Sequence, residues 1–572
     1  MLQIILILTI FVALVIPMGK YLYHIALGQR TFADPAFNLI DNAVYRVCGI
    51  DNNEMNWKQY ALAMLATNAI MIFIGYLILR IQCLPVLNPN GIGGMEPSLS
   101  FNTIISFMTN TNLQHYSGES GLSFLSQMMV IIFMMFTSAA TGFSVSMAFV
   151  RGLAGKTKTV GNFYVDLIRI TTRVLLPLSI LGGMVLVSQG VPQNLSANMV
   201  VQTIEGSYQD IAMGPVASLE IIKHLGTNGG GFFGANSSTP FENPNIITNM
   251  VEMLSMMLLP GSCIIAFGHM VRSRIKETKK GKEKKILIGS EAKPIFAVMS
   301  IIFIIGLVIC FTAESAGNPL LEHIGLNQSM GNMEGKEVRF GIAQSTLFTT
   351  VTTAFTTGTV NNMHDTLTPL GGAVPLMNMM LNVVFGGKGV GLMNMILYAI
   401  LSVFICGLMI GRTPEYLGKK IEGKEMKLTA LGIIIHPLLI LGFSALAVAV
   451  PAGLAGITNP GYHGLTQVLY EYSSSAANNG SGFEGLGDNT YFWNITTGLV
   501  MFFGRYLSII IQLSIAGSLM AKQPVSESIG TLKTDTSTFT ISLLMVVIII
   551  AALTFFPAMV LGPIAEHLTL WS

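Results

Sequence analysis

Residues 214–244 read GPVASLEIIKHLGTNGGGFFGANSSTPFENP and lie between two long apolar segments of the chain. The first part has the pattern of a short amphipathic helix, and the second part is rich in Gly, Thr and Asn. Non-helical backbone is tolerated at membrane depth only where it is buried in protein or lines a watery cavity. The stretch therefore predicts a helix that enters the membrane partway, followed by a polar loop that returns.

The same layout occurs three more times, always between two apolar segments. Four such loops around one axis would form rings of oxygen atoms that replace the hydration shell of a monovalent cation. The short helices would direct the negative ends of their dipoles at the centre. This pattern predicts an all-α polytopic membrane protein with four span–pore–span repeats around a pseudo-fourfold pore. The other copies are SLSFNTIISFMTNTNLQHYSGE (98–119), GIAQSTLFTTVTTAFTTGTVNNMHDTL (341–367) and YHGLTQVLYEYSSSAANNGSGFEGL (462–486).

Aligning the four loops gives the candidate filter residues. Glycine suits a returning strand that needs positive φ or close approach to its neighbours, and Thr and Asn add side-chain oxygens. Four ordinary outer loops are the alternative, but they do not explain one pattern in four matching positions. The candidates are Asn110, Thr111, Asn112, Leu113 and Gln114; Thr227, Asn228, Gly229, Gly230 and Gly231; Thr357, Gly358, Thr359, Val360 and Asn361; and Asn478, Asn479, Gly480, Ser481 and Gly482.

The second loop also contains a literal G-x-G-x-x-G motif at Gly229, Gly231 and Gly234. No strand–helix unit surrounds the motif in the sequence, which argues against a dinucleotide site. The five cysteines form no CxxC or Cys/His pair, so neither a disulfide framework nor a zinc site is indicated.

Composition excludes a soluble globular protein. Only 10% of the 572 residues are charged, against about 25% in an ordinary soluble domain. An apolar run needs about 20 residues to cross the hydrocarbon core of a bilayer, and we interpret the first of ten such runs as a retained span rather than a signal peptide. The runs are 2–23, 60–84, 123–150, 172–191, 247–271, 294–313, 374–411 (long and interrupted), 428–450, 490–520 and 538–561.

Charge placement predicts the orientation of these spans. Three connections, 151–173, 272–293 and 412–427, are rich in Lys and Arg and alternate with acidic ones. The basic connections are expected in the cytoplasm, so the acidic connections and both termini are expected outside. The predicted units are 1–57 (first span and cytoplasmic loop), 58–151 (repeat 1), 152–273 (repeat 2), 274–412 (repeat 3, beginning with the basic loop 274–293), 413–521 (repeat 4) and 522–572 (last span).

The seventh apolar run is interrupted by GGKGVG, which contains Gly386, Gly387, Lys388, Gly389 and Gly391. Glycine is costly inside a helix, so we expect an unwound loop beneath the filter, with Lys388 hindering free passage of a cation. The alternative is a simple kink with Lys388 reaching the cytoplasm. A second charge, Arg505, falls inside the ninth run and is a candidate for lining the path or anchoring a partner.

Long motifs in this chain closely resemble one family. They are HLGTNGGGFFGANSSTPFENP (224–244), NMHDTLTPLGG (362–372), VFGGKGVGL (384–392) and GLMIGRTPEYLGKKI (407–421). The resemblance, over essentially the whole chain in order, is to the potassium-binding A subunits (KdpA) of Kdp-type potassium-transporting P-type ATPases. In two places the chain departs from the family pattern, with Asn382 where an acidic residue is frequent and Thr356–Thr357–Gly358 where Ser-Cys-Gly is frequent.

The resemblance implies the ion, the partners and the location. The transported ion would be K⁺, with no other cofactor, and the location a bacterial cell membrane. The partners would be a P-type ATPase subunit (KdpB) and the smaller subunits KdpC and KdpF, in a complex that takes up potassium at low external concentration.

The residues themselves indicate that ATP is not hydrolysed by this chain. The sequence has neither the Asp-Lys-Thr-Gly motif of P-type ATPases nor a Walker A motif. We therefore expect a subunit that selects the ion and passes it laterally to a partner. The alternative is a stand-alone potassium channel or ion-coupled potassium transporter of the same superfamily. A membrane enzyme is not indicated, because no nucleophile–base pair or metal cluster falls within the predicted spans.

Overall fold

The computed structural model describes residues 2–32, 34–155, 159–278, 289–409, 411, 413–523, 525 and 532–570. Ten of its helices are long and apolar enough to cross a membrane, which confirms the number of spans predicted from the sequence. Spans 1 to 10 are, in order, Leu2–Ala26, Trp57–Ile81, Phe124–Ala154, Phe163–Ser188, Ile246–Thr278, Ala292–Ser315, Val390–Met409, Gly423–Ala449, Tyr491–Met520 and Ser537–Leu570.

Four shorter helices occupy the predicted re-entrant positions, each between two spans. The polar loop that follows each helix is named filter loop 1 (residues 109–114), 2 (226–231), 3 (355–361) and 4 (478–482). Pore helices 1 to 4 are Pro97–Met108, Val216–Leu225, Gly341–Ala354 and Tyr462–Ala477.

The two spans of each repeat differ in burial. In spans 3, 5, 7 and 9, which follow the filter loops, 56–72% of the most apolar window is buried within the protein. In spans 2, 4, 6 and 8, which precede the pore helices, the share is 28–39%. A helix whose whole circumference is apolar, and which packs against protein on one side only, faces lipid on its other side. The second span of each repeat therefore lies inside the molecule, and the first faces outward.

Contacts between helices close the four repeats into a ring. Pore helices 1, 2 and 4 each pack against both spans of their own repeat. Pore helix 3 packs against span 6 and against Pro369–Leu381, the helix that leads into span 7. Pore helices 2 and 3 also contact the second span of the preceding repeat, and pore helix 4 contacts Pro369–Leu381 of the third repeat. Pore helix 1 packs against span 9, which belongs to the fourth repeat. The fourth repeat thus neighbours the first, as a pseudo-fourfold arrangement requires.

Span 4 begins earlier than the sequence predicted, at Phe163 rather than near residue 172. Asn162 caps it by accepting hydrogen bonds from the backbone N–H groups of Tyr164 and Val165. Its first turn also contains Asp166, which pairs with Arg151 at 2.6 Å. Because the two charges are paired, they can lie within a membrane-spanning helix. A prediction from hydropathy alone starts the helix later, after the charged residues.

The remaining elements lie around this ring. The seventh apolar run consists of two helices, Pro369–Leu381 and Val390–Met409 (span 7), separated by an irregular segment, as the sequence predicted. Span 1 packs along span 5, and span 10 packs against spans 6 and 7. Part of the predicted basic loop 272–293 lies outside the described residues. Strands Met199–Gln202 and Tyr208–Ile211 form one antiparallel hairpin and Glu415–Tyr416 and Lys419–Lys420 another; the short helices are Asp34–Cys48, Gly118–Gly121, Asn236–Ser238, Pro319–His323 and Pro451–Leu454.

Candidate functional site

The four pore helices end in the same way. In each loop one backbone N–H donates to the carbonyl oxygen five residues earlier, a group that a helix terminus would otherwise leave unpaired. Because the bond recurs in every repeat, it aligns the four loops residue by residue. The pairs are Thr111 with Ser106 (2.9 Å), Asn228 with Lys223 (2.9 Å), Thr357 with Thr352 (2.8 Å) and Asn479 with Ser474 (2.9 Å).

Backbone dihedrals support the same alignment. The residues on either side of each donor have positive φ, a region that residues with a Cβ seldom occupy. The earlier position holds Asn110 (63°), Thr227 (40°), Thr356 (49°) and Asn478 (55°), and the later one holds Asn112 (58°), Gly229 (80°), Gly358 (101°) and Gly480 (109°).

This alignment corrects the sequence prediction for filter loop 3. The sequence alignment placed Thr357 opposite Asn110 and Asn478, but Thr356 occupies that position and the register was wrong by one residue. The reason is conformational: the position after the donor needs positive φ, and Gly358 satisfies it in loop 3 as Gly480 does in loop 4.

Hydroxyl groups on three pore helices hold their loops. Ser106 donates to the carbonyl oxygen of Leu113 at 2.9 Å, and Thr352 donates to that of Thr359 at 2.6 Å. Thr352 also accepts from the N–H of Gly358 at 3.0 Å, and Ser474 accepts from that of Gly480 at 2.9 Å. Sequence reasoning missed these residues, although a Ser or Thr four residues before the loop's first positive-φ position was visible in repeats 1, 3 and 4.

The loops lie against one another around a common axis. A Cβ atom on Gly358 would overlap the carbonyl oxygen of Asn479, and one on Gly480 would overlap that of Thr111. A Cβ on Gly229 would lie 2.5 Å from the carbonyl oxygen of Thr357.

The fourth side of the ring is closed by loops 1 and 2. A Cβ on Gly230 would lie 3.1 Å from the carbonyl oxygen of Asn112, and the Asn110 amide donates to the Thr227 carbonyl at 2.7 Å. Loops 2, 3, 4 and 1 therefore follow one another in a closed circle.

The outer residues of the predicted filter are held by side-chain hydrogen bonds. Gln114 exchanges two bonds with the backbone of Gly231, at 2.7 and 3.1 Å, which joins loops 1 and 2. Ser481 bonds to Asn479 at 2.7 Å within loop 4. Asn361 instead donates to Asn249 of span 5 at 3.0 Å, so its amide braces loop 3 against a span. Leu113 and Val360 are buried within filter loops 1 and 3, and together with Gly482 they line the cavity above the ring.

A cavity of about 320 Å³ lies over the ring and is lined by all four filter loops. His115 lies near its wall, with Nε2 3.2 Å from Glu471 and 3.9 Å from Asp488. Burial opposes protonation of His115, but these carboxylates outweigh it and raise its pKa to about 9. Burial also raises the pKa of Asp488, to about 6, although the His115 charge opposes that shift. Near neutral pH, the cavity wall therefore carries an ionised Asp488.

The irregular segment before span 7 runs directly beneath the ring. The Phe385 ring stacks on that of Phe355, where pore helix 3 ends, with centroids 4.5 Å apart. A Cβ on Gly387 would lie 3.1 Å from the Thr227 hydroxyl. Lys388 is 2% exposed and its Nζ lies 3.2 Å from Oδ1 of Asn110. The alternative in which Lys388 reaches the cytoplasm is therefore wrong.

The other predicted path residues lie close by. Gly386 and Gly389 have positive φ, of 63° and 89°, while Gly391 lies in the first turn of span 7 and packs on the backbone of Phe385. Arg505 of span 9 is 7% exposed, and its guanidinium lies against Gly142 of span 3.

A small cavity of about 50 Å³ extends sideways from this region. Asn382, Asn478 and Arg505 line it, together with two residues that sequence reasoning missed, Asn394 and Gln512. Gln512 donates to Asn394 at 2.8 Å, and both are uncharged polar residues inside apolar runs, the signal by which they could have been found.

These features define a membrane protein of the pore-loop class, in which four re-entrant helices from one chain surround a ring of backbone oxygens suited to a cation. Its structure is similar to that of the potassium transporter TrkH from Vibrio parahaemolyticus, with a TM-score of 0.52 over 89% of this chain and 97% of that one, at 13% identity. The chain belongs to the family described as "Potassium-transporting ATPase A subunit", which it matches over residues 5–568.

Curated relatives match along the full length of the chain. A protein of Clostridium acetobutylicum is 61% identical over 570 residues, covering 100% of both chains. One of Geobacillus kaustophilus is 56% identical over 566 residues, covering 99% of this chain and 98% of its own. Both are named potassium-transporting ATPase potassium-binding subunit, a name that favours an ATPase subunit over a stand-alone channel.

Proposed function

We propose that this chain is the potassium-selecting subunit of an ATP-driven uptake complex and binds K⁺ within the ring of filter loops. The observation that carries the proposal is the closed ring itself: the carbonyl oxygens of Thr111, Thr357 and Asn479 each lie against the glycine of a neighbouring loop. Carbonyl oxygens can replace the water around K⁺, and a filter without charged side chains suits a monovalent ion. The names of the relatives support K⁺ as the ion.

The ligands follow from the alignment of the loops. The central ring consists of the carbonyl oxygens of Thr111, Asn228, Thr357 and Asn479. Oxygens at the positions before and after these residues supply further coordination, so Thr356 joins the predicted set. In the outer cavity the ionised Asp488 attracts cations above the ring, and the protonated His115 beside it offsets part of this attraction.

Passage beyond the ring is controlled by the segment beneath it. The Lys388 side chain lies under the inner positions and obstructs a cation that moves straight through. The lateral cavity lined by Asn382 and Arg505 provides a different exit. We infer that the ion leaves sideways toward a partner that supplies the energy, a P-type ATPase subunit (KdpB), in a complex that also contains KdpC and KdpF.

The remaining assignments concern placement in the membrane. We infer a bacterial cell membrane with both termini and the filter cavity outside, which the basic connections 151–173, 272–293 and 412–427 support. The repeats are 58–151, 152–273, 274–412 and 413–521, preceded and followed by one additional span each.

The test is potassium-stimulated ATP hydrolysis by the purified complex, comparing wild type with Gly229→Asp and Gly206→Asp. Both glycines have similar positive φ, of 80° and 88°, but Gly206 lies in the outer hairpin with open space around it. We expect Gly229→Asp to raise the potassium concentration for half-maximal activity at least tenfold and Gly206→Asp to leave it unchanged. Wild-type potassium dependence in Gly229→Asp would overturn the filter assignment.

A further inference from the structure

A cluster of ionisable residues is fully buried behind filter loop 2. Lys223 occupies on pore helix 2 the position that Ser106, Thr352 and Ser474 hold on the others. Its ammonium lies 2.7 Å from Glu220 and 2.7 Å from Glu242. Both carboxylates have second partners, because Ser237 donates to Glu220 at 2.8 Å and the N–H of Phe233 donates to Glu242 at 2.8 Å.

Glu252 of span 5 is different from these two carboxylates. It is fully buried, and neither of its carboxyl oxygens has a hydrogen-bond partner among the described residues. Its neighbour is His224, whose Nε2 lies 3.5 Å from Oε2 of Glu252 and likewise has no hydrogen bond in the described part of the chain. A buried carboxyl group in this condition requires a proton or a cation.

The other nitrogen of His224 identifies its tautomer. Nδ1 lies 2.8 Å from the backbone carbonyl oxygen of Glu220, which can only accept, so Nδ1 carries a proton. In the neutral imidazole Nε2 then presents a lone pair to Glu252. Two lone pairs at this distance repel each other unless a proton lies between them.

The cations that face Glu252 are already engaged. On pore helix 2, Lys223 is shared by Glu220 and Glu242. On the segment before pore helix 3, Arg339 pairs with Glu337 and donates to the carbonyls of Ser238 and Asn243. From the loop after the filter, Glu242 and Ser237 complete the surroundings, and the Ser237 hydroxyl hydrogen is donated to Glu220 rather than to Glu252. A charged Glu252 would add a negative charge with no partner of its own to a buried cluster in which one ammonium is already shared, and an unpaired buried ion is strongly destabilising.

We propose that Glu252 is a neutral carboxylic acid near pH 7 that donates a hydrogen bond to Nε2 of His224, and that this proton-binding pair positions filter loop 2. The link to the loop is direct, because the backbone carbonyl of His224 accepts from the N–H of Thr227 at 3.1 Å. Glu252 is thus a positioning residue that acts through His224. Its effect on potassium depends on the function proposed above, whereas its protonation does not.

Infrared difference spectroscopy of the purified complex tests the protonation. We expect the wild-type spectrum minus that of Glu252→Gln to contain the carbonyl stretching band of a protonated carboxylic acid at neutral pH. Glu322→Gln, which removes an exposed carboxyl group, serves as control and should give carboxylate bands. Carboxylate bands in the Glu252 difference, or a divalent metal bound by wild type and lost in Glu252→Gln, would overturn the proposal.

Substitutions test the positioning role independently. Glu252→Gln keeps a donor for His224, so we expect its apparent potassium affinity to stay within twofold of wild type. Glu252→Leu removes the donor and should weaken the affinity about tenfold. Glu242→Gln, which removes a charged partner of Lys223, should also weaken it. If Glu252→Gln were as damaging as Glu242→Gln, or Glu252→Leu were harmless, the positioning role would be refuted.

Discussion

Nζ of Lys388 lies 3.2 Å from the side-chain oxygen of Asn110, which places one buried lysine directly beneath the filter loops. Asn110 stands at the innermost aligned position, with Thr227, Thr356 and Asn478 in the other loops. The contact ties the irregular segment before span 7 to the ring above it.

Shortening this lysine side chain should open the straight path. In Lys388→Gln the side chain is shorter and obstructs the path less, so we expect the leak of potassium across liposome membranes without ATP to rise at least tenfold. Lys427→Gln, at an exposed position of span 8, is the matched control and should not leak. If the potassium leak of Lys388→Gln were as low as that of wild type, the lysine would not be a barrier.

Close packing of loops 3 and 4 should make Gly358 intolerant of a single methyl group. A Cβ there would overlap the Asn479 carbonyl and would also strain a residue with φ of 101°. We expect Gly358→Ala to weaken apparent potassium affinity at least tenfold in ATP hydrolysis assays. Gly91→Ala introduces a Cβ at φ of 66° into open space, so it measures the effect of strain alone and should retain wild-type affinity.

Thr352 and Thr346 are both fully buried on pore helix 3. Comparing them tests whether hydrogen bonds from pore-helix hydroxyl groups position the filter loops. Thr352 bonds to Gly358 and Thr359 of the filter loop, whereas the Thr346 hydroxyl donates within the helix, to the carbonyls of Ile342 (2.8 Å) and Ala343 (3.4 Å). Leaving a buried polar group unpaired costs about 1–3 kcal/mol. We expect Thr352→Val to weaken potassium affinity about tenfold and Thr346→Val to have little effect. Similar affinities in the two variants would mean that the ties do not position the filter.

Acidification outside should weaken potassium uptake through Asp488. Its pKa of about 6 means that the carboxylate is present at pH 8 and is lost as the pH falls through 6, while His115, with a pKa of about 9, stays charged from pH 8 to pH 5. Across several ångströms of water one charge is worth about 0.5 kcal/mol, or roughly a twofold change in affinity. We expect the apparent potassium affinity of wild type to fall about twofold between pH 8 and pH 5, and that of Asp488→Asn to stay constant. If the affinity of Asp488→Asn fell as much as that of wild type, another group would be responsible.

The architecture could be predicted from the sequence because its signals are local. Span length, the re-entrant pattern and the glycines at 386–391 each depend on a short stretch of chain. The Lys223–Glu242 pair and the contact between Glu252 and His224 could not be predicted, because they join segments whose distance in space depends on tertiary packing. The predicted register of filter loop 3 was wrong for a related reason, because composition alone does not tell which residue after a helix adopts positive φ.

Joining the four repeats in one polypeptide has a consequence for the single lysine under the filter. In a homotetrameric channel every substitution appears four times, so a basic residue at this depth would place four positive charges around the axis and exclude cations. Here repeat 3 alone supplies Lys388, repeat 4 supplies Arg505 near it, and pore helix 2 alone has Lys223 in place of a hydroxyl. Covalent fusion thus permits an asymmetric plug, which a symmetric assembly of identical subunits cannot build.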